Sequence, residues 1–194
     1  GFLGLSAHGE EFTPEPGFVS LFNGKDLSGW CFREKVDRKA PAVGAVTTAF
    51  DGQPSSNDEG RYSAKDGILT VNFPKGQERL VSQLYTVREF PKNFVLKLEF
   101  RASVNADSGI FIRRPQLQCR DYRVAGPEAY KALKSYKPQD WNQIEVVVKD
   151  GAARCTCNGE VLEEALPLPS TGPIGLEGDR GQMEYRHIQI KELD

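Results

Sequence analysis

The sequence predicts an all-β chain folded as a two-sheet antiparallel sandwich, and three observations carry that expectation. About a dozen short strand signals are set apart by turn residues, no segment has the length and period of an amphipathic helix, and strands never alternate with helices as a parallel sheet requires. At 194 residues the chain suffices for one sizeable core, so a single domain is expected over residues 18–194, preceded by a flexible tail over 1–17.

In chain order, Phe18 to Phe22 reads as the first strand, followed by a turn at Asn23-Gly24 and an aromatic anchor at Trp30. From Arg33 to Gly60 the chain is rich in Lys, Pro, Ser, Asp and Gly, which argues for a long loop. A turn at Asp66-Gly67 precedes a strand at Ile68 to Val71, and Arg79 to Val87 reads as another. The clearest signal follows. Phe94, Leu96, Leu98 and Phe100 fall on one side of a period-two strand, with Val95, Lys97, Glu99 and Arg101 on the other.

A polar turn at Val104 to Gly109 and renewed apolar spacing at Ile110 to Arg114 then read as a hairpin with ionisable groups on adjoining strands. Leu117 to Val124 is strand-like, and Pro127 to Ser135 permits a short helix. Trp141 to Lys149 and Ala153 to Cys157 read as paired strands, and Asn158-Gly159 is a hairpin turn into Glu160 to Leu162. Ile174 to Leu176 and Met183 to Leu193 complete the set.

Charge and composition narrow the function. Lys and Arg total 25 against 27 Asp and Glu, so a net charge of -2 gives no broad field for nucleic acid or an anionic membrane, and a neutral partner fits better. No run of about 18 apolar residues is present to span a bilayer as a helix. The segment Gly1 to Ala7 lacks the make-up of an intact signal peptide, and the polar stretch Ala7 to Gly17 reads as a tether, so an exported form with its leader removed is expected.

The four cysteines lack zinc spacing. Cys155 and Cys157 share one side of a strand and read as small core residues, with a bridge from Cys119 to one of them open if those strands are neighbours. His8 and His187 give too little material for a catalytic triad or a histidine metal cluster, and His187 reads as structural. No structural metal is expected; the loop Asp51 to Glu59 has oxygen ligands for calcium but reads first as solvated.

A sandwich face that combines aromatic platforms with carboxylates, amides and arginines suits a sugar. By that chemistry Glu99, Arg101, Arg113, Gln118, Asp121, Trp141 and Glu177 are the candidates. Each has a plain structural alternative: Glu99 and Arg101 as a solvated strand face, Arg113 in an ion pair, Trp141 in the core. Glu99, Arg101, Arg113 and Asp121 are expected to converge on one concave face, with Trp141 beside or beneath the cleft.

Four stretches in order, Leu21 to Trp30, Leu98-Glu99-Phe100-Arg101 with Asp107 to Arg113, Asp140-Trp141-Asn142 and Tyr185 to Lys191, make the chain resemble the 3-keto-disaccharide hydrolase family over roughly residues 18–193. The resemblance implies a concanavalin A-like jelly roll that acts on or binds carbohydrate, often exported. The family's Glu-x-Gln-x-x-Asp pattern corresponds here to Gln116-Leu117-Gln118-Cys119-Arg120-Asp121, so Gln118 and Asp121 match while Gln116 replaces the acid. An amide binds a hydroxyl but cannot accept a proton as a carboxylate does.

In the loop Gly175 to Gly181, Glu177 or Asp179 can compensate. The implied reaction removes the C2 proton of a 3-keto glycoside and expels the oxygen at C1, with Asp121 or Glu177 as base and Arg101 or Arg113 as electrophilic partner. Glu99, Gln116, Gln118 and Trp141 would bind substrate. The alternatives are ordinary hydrolysis of the acetal by two carboxyls, about 5 to 5.5 Å apart for retention or about 6.5 to 9.5 Å for inversion, a noncatalytic carbohydrate-binding module, and an adhesion domain with a protein partner.

Overall fold

Apolar and polar residues alternate along most of the chain, and in the computed structural model, which describes residues 11–57, 60–73 and 82–193, that alternation becomes two stacked sheets. The strands are β1 (Val19–Ser20), β2 (Trp30–Arg33), β3 (Val46–Ala49), β4 (Tyr62–Lys65), β5 (Ile68–Val71), β6 (Leu84–Thr86), β7 (Phe94–Ala102), β8 (Asp107–Ile112), β9 (Gln116–Arg120), β10 (Asn142–Lys149), β11 (Ala152–Cys157), β12 (Glu160–Pro167), β13 (Ile174–Leu176) and β14 (Met183–Glu192). One short helix, α1 (Glu128–Lys131), follows β9.

An eight-stranded sheet runs β12-β11-β10-β7-β14-β5-β4 with β1 on β14, and a six-stranded sheet runs β3-β2-β6-β13-β8-β9. All their pairings are antiparallel. The all-β, two-sheet sandwich read from the sequence is the fold.

The core lies between the sheets because each inner face carries the apolar half of the alternation. Along β7, Phe94, Leu96, Leu98, Phe100 and Ala102 are buried while Val95, Lys97, Glu99 and Arg101 are half-buried on the outside. Ile110 and Ile112 of β8 and Leu117 and Cys119 of β9 belong to the same core from the other sheet. Phe100 packs edge-on to Tyr122, centroids 5.8 Å apart, and Tyr122 meets Tyr136 at 5.1 Å.

The register corrects one expectation with consequences for the site. β7 and β8 are not a hairpin: β7 sits in the eight-stranded sheet and β8 in the six-stranded one. Between them the chain crosses from sheet to sheet through Ser103–Ala106, with Asn105 at a φ of 62°. Alternation says which face a residue takes, but nothing about which strand lies beside it.

Smaller corrections have similar causes. The stretch Arg33 to Gly60 is not all loop, since Val46–Ala49 adds an edge strand to β2. The strand read at Arg79 to Val87 is Leu84–Thr86, with 79–81 outside the described residues. Residues 1–10 of the expected free tail also lie outside them, but 11–17 are tied down: Phe12 stacks on His187 with centroids 4.3 Å apart, the Glu15 N–H donates to Gln189, and the Glu15 carboxylate pairs with Lys97 at 3.1 Å. All four cysteines are buried free thiols, with Cys119 and the pair Cys155 and Cys157 on different sheets.

Candidate active site

The outward face of the six-stranded sheet carries the cleft, and two glycines open it. In the β8–β9 hairpin, Phe111 pairs with Gln116, Gly109 with Gln118 and Asp107 with Arg120, so these six positions share the outer face. On β13, Gly175 lies between Tyr85 and Phe111, where a Cβ would stand 2.6 Å from the Tyr85 ring. At Gly109 a Cβ would collide with the Gln116 side chain. With no side chain in its way, that amide crosses the strand and donates a hydrogen bond to Glu177.

Glu177 follows β13 and is fixed by its main chain. Its N–H donates to the Gly109 carbonyl at 2.9 Å, and its own carbonyl accepts the Ser108 hydroxyl at 2.7 Å. The next N–H, of Gly178, donates to the Gln83 side chain at 2.7 Å. The loop then returns Asp179 to the cluster, and a bridge between Asp107 and Arg180 closes it. Carboxylate oxygens of Asp107, Glu177 and Asp179 lie within 4.8 Å of one another.

Crowded negative charge favours the protonated forms of Glu177 and Asp107. Burial first, then the charges of Asp179 and Asp107, push Glu177 up to about 7, against the lowering effect of the Gln116 amide. Burial also raises Asp107, with Arg120 pulling the other way and Asp179 adding to the rise. Arg120 stands 3.4 Å and Arg180 3.8 Å from the Asp107 carboxylate. The cluster can hold a shared proton, and its oxygen donors are also those a hard divalent cation takes.

A cavity of about 360 Å³ is lined by Arg38, Asp107, Gln116, Gln118, Arg120, Glu177 and Asp179. A second, of about 520 Å³, includes Tyr85, Phe111, Arg33, Lys35 and Arg114 and shares Arg38, Gln116 and Glu177 with the first. Glu177 therefore stands at their junction. Arg38 comes from the 34–45 loop, whose carbonyls at Asp37 and Ala40 accept hydrogen bonds from the Arg114 guanidinium.

Of the residues singled out in the sequence, the structure brings Gln116, Gln118, Glu177 and Asp179 together here. The others lie elsewhere, which corrects the expected convergence of Glu99, Arg101, Arg113 and Asp121. Glu99 and Arg101 point from the outer face of the opposite sheet, where Arg101 pairs with Glu184 at 2.8 Å and Glu99 with Arg186 at 3.1 Å and His187 at 2.6 Å. Trp141 belongs to that same face, with the Arg101 and Arg186 guanidiniums 4.6 and 3.9 Å from its ring, so it is not beside the cleft.

Arg113 is only 3% exposed and donates to the carbonyls of Phe90, Lys92 and Pro169 at 2.8 to 3.0 Å. Asp121, 2% exposed, accepts from the Asn105 N–H, Gln139 and the Tyr136 hydroxyl at 3.1 to 3.3 Å. Both hold loops. Conversely, Asp107, Arg120 and Arg38 belong to the cleft but were not among the candidates. The signal for Arg120 was present, since Gln116, Gln118 and Arg120 are spaced two apart. Of the loop Asp51 to Glu59, residues 58 and 59 lie outside the described residues, and the Asp51 carboxylate accepts the Gly29 N–H at 3.3 Å.

A sequence profile of the 3-keto-alpha-glucoside-1,2-lyase-like domain matches residues 17–191. The chain belongs to that family. The fold of this lyase-like domain is concanavalin A-like. Among solved structures, it is similar to a candidate glycosyl hydrolase from Parabacteroides distasonis ATCC 8503 at 18% identity and a TM-score of 0.65, covering 92% of this chain and 95% of the other. A second candidate glycosyl hydrolase from the same organism gives 21% identity and a TM-score of 0.52, over 68% of this chain and 90% of the other. At these identities the likeness is one of fold. No curated protein matches the lyase-like chain in sequence.

Proposed function

We propose that the protein cleaves 3-keto-glycosides by elimination in the Glu177 cleft. The observation that carries this reading is the placement of Glu177, a carboxyl pushed up to about 7 at the junction of two adjoining cavities. A base works best when its pKa lies near the operating pH, and membership of the lyase-like family supplies the class of reaction. A ketone at C3 acidifies the hydrogen at C2. Glu177 takes that proton, the electron pair delocalises onto the C3 oxygen, and the enolate then re-forms the ketone as the C1–O bond breaks. The products are a sugar with a C1–C2 double bond and the free leaving group, which takes up one proton.

Negative charge grows on the C3 oxygen, and Arg38 and Arg120, both lining the first cavity, are the cations available to meet it. Gln116 supports catalysis in this scheme. It holds the base by a hydrogen bond, so the amide standing where the family pattern has an acid does not leave the site without one. A noncatalytic carbohydrate-binding module remains the rival function.

Incubation with matched 3-keto and unmodified disaccharides, read by mass spectrometry, tests the proposal. Cleavage of the 3-keto compounds alone is expected. Binding without turnover would favour the module, and cleavage of the unmodified sugars alone would point to ordinary acetal hydrolysis. Chelation separates the two occupants of the acidic cluster: turnover survives EDTA if the carboxyls share a proton and is lost if they hold a needed cation.

A further inference from the structure

The two cavities differ in charge. Asp107, Glu177 and Asp179 outnumber Arg38 and Arg120 in the first, whereas Arg33, Lys35, Arg38 and Arg114 outnumber Glu34 and the shared Glu177 in the second. Arg33 donates to the carbonyls of Gly44, Thr86 and Val87, and Arg114 to those of Asp37 and Ala40. Carbonyl partners take N–H groups at the Arg33 Nη atoms and at Arg114 but leave the buried Arg33 Nε without one and the positive charge in place. No carboxylate among the described residues forms an ion pair with any of these four cations.

The floor between them is aromatic. Tyr85 and Phe111 have ring centroids 5.6 Å apart with planes tilted by 37°, and Gly175 between them presents no side chain. Burial pushes the Tyr85 phenol up while the Arg114 and Arg33 charges pull it down, so both guanidiniums act at the edge of this platform. A flat ring would rest on the platform, and an anionic group on its rim would meet the cations.

We infer that the second cavity receives the leaving group of the glycoside, and that this group is an aromatic ring carrying a carboxylate. The inference rests on the elimination at Glu177, because that residue divides the cleft between the sugar and the group it expels. The sugar occupies the acidic end and the aryl carboxylate the basic end, which fixes the orientation of the bound substrate.

Two measurements test it and keep its failure apart from that of the cleavage reading. The first compares kcat/KM for the 3-keto-glucosides of 4-hydroxybenzoate and 4-hydroxybenzamide, which differ only in charge. The carboxylate should be preferred by about 5- to 10-fold at low salt, less as salt is added, and Lys35→Gln should reduce the preference. Equal turnover of the two by the intact protein, with turnover itself present, overturns the inference and leaves the elimination standing.

The second titrates 4-hydroxybenzoate and 4-hydroxybenzamide themselves by calorimetry. Tighter binding of the benzoate in a protein that turns over no 3-keto-glycoside keeps the anionic aryl site and sinks the elimination. Equal or absent binding of both compounds removes the site.

Discussion

The two outer faces of this sandwich are built from the same residue types and do different work. On the eight-stranded sheet the charges alternate in sign from strand to strand: Arg101 faces Glu184 across the β7–β14 pairing, Glu99 faces Arg186, and Trp141 packs under both arginines. These four charges each meet their opposite, which makes a stable surface and leaves little to spend on a ligand. On the six-stranded sheet acids are in excess on one side and cations on the other, and two glycines leave the space between open. Frustrated charge beside an opening is what a reactive site needs, and pairing is what a scaffold needs.

The sharpest way to break this contrast is Glu177→Gln. Turnover of a 3-keto-disaccharide should fall by roughly 10²- to 10⁴-fold, the range for loss of a general base. Stability should move the other way. The folded pKa of Glu177, about 7, lies above the ordinary 4.5, so its contribution is full below pH 4.5 and is lost as pH rises through 7. Glutamine removes that loss, and at neutral pH the variant should melt no lower than the parent, read by calorimetry. Lower melting with turnover retained would make Glu177 structural.

Next in size is Arg113→Ala, which leaves the carbonyls of Phe90, Lys92 and Pro169 without their buried donor. Denaturant melts should show a loss of about 3 kcal/mol or more, since each orphaned buried group costs on the order of 1 to 3 kcal/mol. A loss under about 1 kcal/mol would show water replacing the guanidinium at little cost.

These two residues also show how far the sequence could be read. The alternation along β7 gave the inner and outer faces correctly, because burial imposes a period of two on any strand with one wet side. The same pattern made Arg113 resemble a surface charge at the end of a strand. Its left-handed φ of 60° and its inward turn onto three carbonyls are set by loops distant in sequence, which no local period records.

Glu99 and Arg101 were placed beside the motif Asp107-Ser108-Gly109 because a polar turn joins them, and a polar turn serves a sheet crossing as well as a hairpin. Glu177 was legible as a carboxylate in a glycine-rich loop. Its neighbours Asp107 and Arg120 depended on the β8–β9 register, fixed only when the sheet forms.

A subtler test within the cleft is Gln116→Leu, which removes the donor that lowers the Glu177 pKa. The acid limb of the rate profile should move to higher pH, since the base then ionises later. A limb that stays put would mean the amide does not hold the carboxylate in solution. The smallest effect is expected on the opposite face. Arg101→Gln breaks the pair with Glu184, side chains 37% and 23% exposed, and should cost about 1 kcal/mol or less with turnover unchanged. A loss of turnover there would join the two faces in one function and end the contrast.

The most direct measurement is the pH dependence of kcat/KM on a 3-keto-disaccharide, from roughly pH 5 to 9, for the parent protein and Glu177→Gln side by side. The parent should lose activity below a single limb near pH 7, where Glu177 takes up its proton, and the variant should show a small residual rate with that limb gone. A limb of the same position and height in both proteins would contradict the assignment of Glu177 as the base.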